Sequence, residues 1–208
     1  MKRMLNVLMV AAMVVLSGCA TPVKFKTLDF SDAEIARCVN EAPGRMAKAD
    51  QGDKFEQYNV GKNLFFGCTE GRVSNPEKAL PWLERSAVQN NMGATAFIGG
   101  NYYAVNALKK HQAKQDWADD ELMANRFTDT ALDLWEKAGR KGFNKVELEQ
   151  LQVAVNLRGL IQRRIHGNKV AAEKSYCFVL QIGPLNQGGE SDLVKNLDEI
   201  GKTKAVCK

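Results

Sequence analysis

The side chains best suited to chemistry in this 208-residue sequence are its five cysteines, Cys19, Cys38, Cys68, Cys177 and Cys207. A thiolate can accept a lipid group, ligate zinc or couple oxidatively with a second thiol. Zinc ligation usually groups its ligands closely, but the sequence has no Cys-x-x-Cys, and His111 and His166 lie apart from the cysteines. No metal is expected. Oxidative pairing suits the four cysteines after Cys19, an even number that allows three pairings, and sequence alone does not choose among them. Two features favour Cys38 with Cys68 and Cys177 with Cys207. Each pair is 30 positions apart, and each falls inside what reads as a helix-turn-helix unit, so a bridge would clip two antiparallel helices together. In the chain-entropy model, closing a loop of that size contributes about 3 to 4 kcal/mol.

Other chemistries lack their residues. A serine hydrolase needs a nucleophile in a strained turn with a histidine available, and no Gly-x-Ser-x-Gly follows Cys19. Ser191 precedes Lys195 by four positions rather than three, and no Lys-Thr-Gly follows. His111 lies in a charged stretch and His166 near a helix end, where solvated or capping roles are expected. Asp119 with Asp120, and Glu147 with Glu149, read as solvated helix faces. Gly188-Gly189 lacks the lysine of a phosphate loop and reads as a turn. We expect no enzyme activity, no cofactor and no small-molecule substrate.

Cys19 sits in a different setting. Lys2 and Arg3 are followed by an apolar run from Leu5 to Leu16, interrupted only by Asn6, which is shorter than the roughly 20 residues a membrane span needs. Leu16-Ser17-Gly18-Cys19 then resembles the lipobox of bacterial lipoprotein precursors. Small residues let the backbone lie extended in a protease cleft, and the thiol accepts the lipid. The resemblance implies a signal peptide over 1–18, lipidation of Cys19, and an oxidising compartment in which disulfides persist. In enterobacterial-type lipoproteins Asp after the cysteine favours inner-membrane retention, so Ala20 implies an outer-membrane anchor facing the periplasm. Residues 19–29 would be a lipidated tether, at most roughly 35 Å long at about 3.3 Å per extended residue.

The rest of the chain is long enough for one domain with its own core. The 29 basic residues lose Lys2 and Arg3 on cleavage and then face 24 acidic ones, an excess too small to argue for nucleic acid. Arg158, Arg163, Arg164, His166 and Lys169 crowd one helix end, which the dipole favours, and read as a solvated face. Helical signals dominate. Ser31 with Glu34 forms a capping box, Phe30 can staple onto Ile35, and Pro43-Gly44 marks the end of that first helix. Phe55 to Phe66 is a second helix. Asn75-Pro76 starts a third, Gly93 to Tyr103 reads as a fourth, and Ala131 to Gly142 and Val146 to Ile165 as two more. Residues 105–127 read as a helix pair or a long charged excursion. Tyr176 to Ile182 fits strand or helix, and Asp192 to Ile200 fits helix. No window alternates as a strand should, so the class is all-α.

Within this helical chain, Lys78-Ala79-Leu80-Pro81-Trp82-Leu83-Glu84-Arg85-Ser86-Ala87 aligns with Thr130-Ala131-Leu132-Asp133-Leu134-Trp135-Glu136-Lys137-Ala138-Gly139, 52 positions later. Small residues at shared steps permit close helix approach. With Asn75 as cap, and with Ala94, Ile98, Gly99 and Tyr102 reopening the next helix, the stretch from about 55 to 154 resembles the Sel-one-like repeat, a relative of the tetratricopeptide repeat. The second copy departs from the pattern, with Thr130 for Lys and Leu134 for Trp. The resemblance implies a short, disulfide-stabilised solenoid of antiparallel helix pairs over 30–170, followed by a disulfide-closed segment over 171–208. Such repeats hold other proteins on a concave surface, here a periplasmic or envelope protein, with Tyr58, Asn59, Asn63, Asn101, Tyr102 and Trp117 as expected contacts. The sharpest form of that expectation is an immunity protein against a secreted antibacterial effector such as a lipase. A structural scaffold of an envelope or secretion assembly is the alternative. Some cysteine-rich members of the repeat family are linked to β-lactam binding, a reading these residues do not support.

Overall fold

The computed structural model describes residues 31–69, 72–185 and 187–207. The signal stretch, Cys19, the tether and Phe30 lie outside the described residues. All regular structure among the described residues is helical. The stretch left between strand and helix, 176–182, is the C-terminal half of a helix.

Helix α1 (Asp32–Asp50) begins as its sequence requires. The Ser31 hydroxyl accepts from the Glu34 amide, and the Glu34 carboxylate accepts from the Ser31 amide at 2.9 Å. It does not stop at Pro43-Gly44 but continues to Asp50. Proline removes one helical hydrogen bond, and here Pro43 and Val39, the residue whose carbonyl loses its partner, are both exposed, so water can take that place. Helix α2 (Lys54–Phe66) is capped by Asp53 and closed by Gly67 at φ 78°, where a Cβ would sit 2.7 Å from the backbone of Val73. Helix α3 (Pro76–Ala87) carries the expected Asn75 cap and proline start.

The expected fourth helix is longer than 93–103. α4 (Met92–Phe97), a π-helical segment (Ile98–Ala104) and α5 (Val105–Gln112) run on without a break. The π segment holds Gly99 and Gly100 side by side. A Cβ on Gly99 would lie 2.9 Å from Thr128 Oγ1 in α6 (Ala118–Lys137), and one on Gly100 would lie 2.9 Å from Ala154 Cα in α7 (Lys145–Arg164). Two helices can therefore press against this one segment. The charged stretch 105–127 becomes α5 and the first half of α6 (Ala118–Lys137), the helix-pair reading; the helix expected over 131–142 is the second half of α6. Helices α7 (Lys145–Arg164), α8 (Lys169–Ile182) and α9 (Gln187–Asp198) follow, then a 3-10 turn, Lys204–Cys207. Gly188-Gly189 thus lies in the first turn of α9 rather than in a connecting turn.

Packing follows chain order. α1 lies on α2, α2 on α3, α3 on α4, the π segment on α6, α4 and the π segment on α7, and α7 on α8. The aligned segments bury equivalent steps: Ala79 and Ala131 are both fully buried, as are Leu83 and Trp135. A guanidinium lies over an indole at both places, Arg85 on Trp82 and Arg140, one residue past the second segment, on Trp135. Disulfides join Cys38 to Cys68 and Cys177 to Cys207, with Cα atoms 5.7 and 4.9 Å apart. Among the described residues no helix is long and apolar enough to cross a membrane.

Candidate functional site: a groove between α2 and α7

One side of α2 is taken by α3, and the residues on its other side recur three and four apart: Phe55, Tyr58, Asn59, Lys62, Asn63 and Phe66. Across from them, the first turns of α7 present Val146, Glu147, Glu149 and Gln150. Asn91 and Asn101 lie between, and Glu34, Arg37 and Cys38 of α1 form one rim. The result is a pair of adjoining depressions of about 420 and 520 Å³ that share Lys62 and Val146.

Tyr58 is only 5% exposed, yet its hydroxyl has no protein partner among the described residues. Burial first, and then the charges of Glu147 and Glu149, push its pKa far up, so it remains a donor at any physiological pH. An unpaired buried hydroxyl costs about 1 to 3 kcal/mol unless water or a ligand satisfies it. The Lys62 ammonium lies 5.3 Å from the centroid of the Tyr58 ring. Its pKa is lowered, mainly by burial and then by Arg45. It forms no ion pair among the described residues, and neither does Arg37.

The carboxylates beside them are engaged. Glu34 accepts from the Ser31 amide and hydroxyl, Glu147 accepts from the Asn144 amide at 2.9 Å, and Lys145 stands 4.0 Å from Glu149. The amides are partly used: Asn101 Nδ2 donates to Gln150 Oε1 at 2.9 Å, and Asn59 Nδ2 donates to Glu56 at 3.3 Å. No family model, curated protein or solved structure matches the chain.

Four of the six expected contact residues, Tyr58, Asn59, Asn63 and Asn101, are gathered in this groove. Tyr58 is more buried than an exposed contact should be, and its hydroxyl is itself buried, so it forms part of the groove's floor rather than an offered contact. Tyr102 is not among the lining residues; its ring packs against Tyr103 at 5.0 Å and Phe65 at 6.4 Å. Trp117 is elsewhere, half-buried between the rings of His111 and His166, 5.9 and 5.6 Å away. The His166 ring is 2.7 Å from Glu121, and Asp120 is buried against Lys110, so the 117–121 stretch is tied down rather than offered. The basic cluster is likewise engaged: Arg158 bonds Asp129, while Arg163 and Arg164 both reach Glu199. Among the described residues no three His, Cys, Asp or Glu side chains are grouped to hold a metal ion.

Phe55, Lys62, Val146 and Gln150 escaped the sequence reading. Lys62 carried a usable signal, since it lies one turn from Tyr58 and beside Asn63 on the same face of α2.

Proposed function

We propose that this chain is an outer-membrane lipoprotein, anchored through Cys19, that holds a segment of an envelope protein in the groove between α2 and α7. The observation that carries the binding reading is the convergence of amides, exposed apolar rims and the half-buried Lys62 ammonium in one trough. Phe55 is 52% exposed and Val146 42%, so the trough has apolar edges ready to be covered. Rigid aromatic and amide groups on helices give contact area and hydrogen bonds at low entropy cost. The order of packed helices and the matched burial of Ala79 with Ala131 support the reading of a short solenoid built from Sel-one-like pairs. A tether of at most roughly 35 Å keeps that surface close to the membrane.

The sharpest form of this reading is an immunity protein that occupies a secreted effector, such as a lipase, before it reaches its target. A photo-crosslinking side chain at Asn59 should capture one partner, whereas the same group at the exposed Val88 should not. Equal adducts at both positions would sink the groove. A strain lacking the gene should then be killed by sibling cells, and Asn59→Ala/Asn63→Ala should fail to protect it. Its survival would remove the immunity form and leave a scaffold for an envelope assembly.

A further inference from the structure

We infer that the segment held in the groove is acidic, placing a carboxylate between Lys62 and Arg37 with an apolar side chain beside it in the depression of Phe55, Tyr58 and Val146. This rests on the reading of the groove as a partner-binding site and names the chemistry of what binds there.

The argument starts from an imbalance. The trough holds cations and carboxylates in similar number, but they are not equally occupied. Glu34 and Glu147 are each spent on the backbone amide at the start of their own helix, and Glu149 faces Lys145 one turn away. Lys62 and Arg37 both line the larger depression; the exposed Arg37 acts on Glu34 and Glu41 of its own helix, whereas the half-buried Lys62 has no carboxylate within ion-pair distance among the described residues. A half-buried ammonium without a counter-ion is a cost to the free protein, and an incoming carboxylate removes it. Burial and the Arg45 charge already depress the Lys62 pKa, the mark of that unmet demand.

The surroundings fix the rest of the ligand. Asn63 and Asn59 lie one turn apart on α2, with the Asn101–Gln150 pair nearby, so amides flank the cation and can bond the N–H and C=O groups of an extended backbone. Beneath them the Tyr58 ring forms the floor of the smaller depression, with the Lys62 ammonium 5.3 Å from its centroid. Amides placed to pair with an extended backbone favour a polypeptide carboxylate over a lipid headgroup.

The test uses the folded chain from residue 19 onward, oxidised, with an array of labelled heptapeptides. Each carries one Glu and one Leu at varied spacing, and each has a Gln counterpart. Vesicles with and without phosphatidylglycerol serve as the second probe. The expected result is a set of Glu peptides bound about tenfold more tightly than their Gln twins, with that preference lost in Lys62→Met and retained in Lys62→Arg. Added salt should weaken binding. A melting temperature that is not lowered in Lys62→Met shows that the loss is not unfolding. Equal binding of Glu and Gln peptides, an array without binders, or Lys62-dependent binding to anionic vesicles alone would overturn the inference. Its failure is separable from that of the groove itself. If the Asn59 crosslink forms equally in wild type and Lys62→Met, the groove stands and the acidic ligand falls; if no crosslink forms, the groove falls too.

Discussion

The two ends of the molecule carry the same covalent device, a disulfide across 30 positions, over very different amounts of buried surface. At the N-terminal end α1 rests on α2 and buries a single residue, Ala49; Val39 and Met46 are more than two-fifths exposed. Polar ties do the rest, with Arg45 reaching Glu56 of α2, and Arg72 reaching Asp32. At the C-terminal end Leu193, Leu197 and Ile200 are buried against Ala172 and Tyr176, and Glu199 is gripped by two arginines. A Cβ on Gly159 would collide with the Tyr176 ring, so α7 and α8 meet there without a spacer. A crosslink over a packed core reinforces what packing already holds; over an exposed helix it is most of what holds. The N-terminal element also forms a rim of the groove, so there the crosslink maintains the site.

The largest effects should come from the packed end. Leu197→Ala removes a fully buried side chain and should cost about 2 to 5 kcal/mol, lowering the melting temperature by roughly 2 to 4 °C per kcal/mol. Val39→Ala on α1 should stay within about 0.5 kcal/mol. Similar costs for the two, measured by thermal unfolding of the oxidised protein, would erase the contrast.

Replacing each cystine by serines comes next. Cys177→Ser/Cys207→Ser should lower global stability by about 3 to 4 kcal/mol while leaving α9 docked. Cys38→Ser/Cys68→Ser should instead release α1 as a local event. Its amides should exchange freely while the amides of Leu83 and Trp135 keep their protection, and the depression lined by Arg37 should lose peptide affinity. Loss of protection throughout the core in this second variant would mean that α1 is integral rather than appended. A smaller effect is expected from Ser31→Ala, which removes the hydroxyl of the capping box and should weaken α1 by about 1 kcal/mol without moving the main melt.

What was legible in the sequence was local. Caps at Ser31 and Asn75, and the matched burial of the aligned segments, depend on residues three or four apart. Pro43-Gly44 misled because a stop signal on an exposed helix face costs little, and the helix simply continues. Gly188-Gly189 misled similarly, since glycines are tolerated in the first turn of a helix held by the buried residues that follow. Asn101 and Tyr102 parted company because neighbours in sequence point about 100° apart around a helix, so only one of them can face the groove. Trp117 looked available because the histidines that flank it come from 6 positions before and 49 after. Lys62 stands out by a missing partner, and only the folded arrangement reveals that no carboxylate of the described residues comes within ion-pair distance.

Acid gives the finest test of the contrast. The Glu34 carboxylate is held below its ordinary 4.5, first by the Ser31 amide and then by the Ser31 hydroxyl, and Glu41 is lowered mainly by its bond to Arg45. Both groups have a folded pKa beneath the unfolded one, so their support for α1 is complete above the ordinary carboxylate value and fades as the pH falls through the lower folded values. Glu190, lowered by Lys204, behaves the same way at the other end. Acid therefore removes polar ties from both ends at once, but α9 keeps Leu193 and Leu197 in the core and α1 keeps only Ala49 and its disulfide. On acidification below pH 4, the Cα chemical shifts of residues 32–40 should move toward coil values before those of 190–198. If α9 loses its helical shifts first, the buried leucines are not what secures that end, and the difference between the two disulfides must be sought elsewhere.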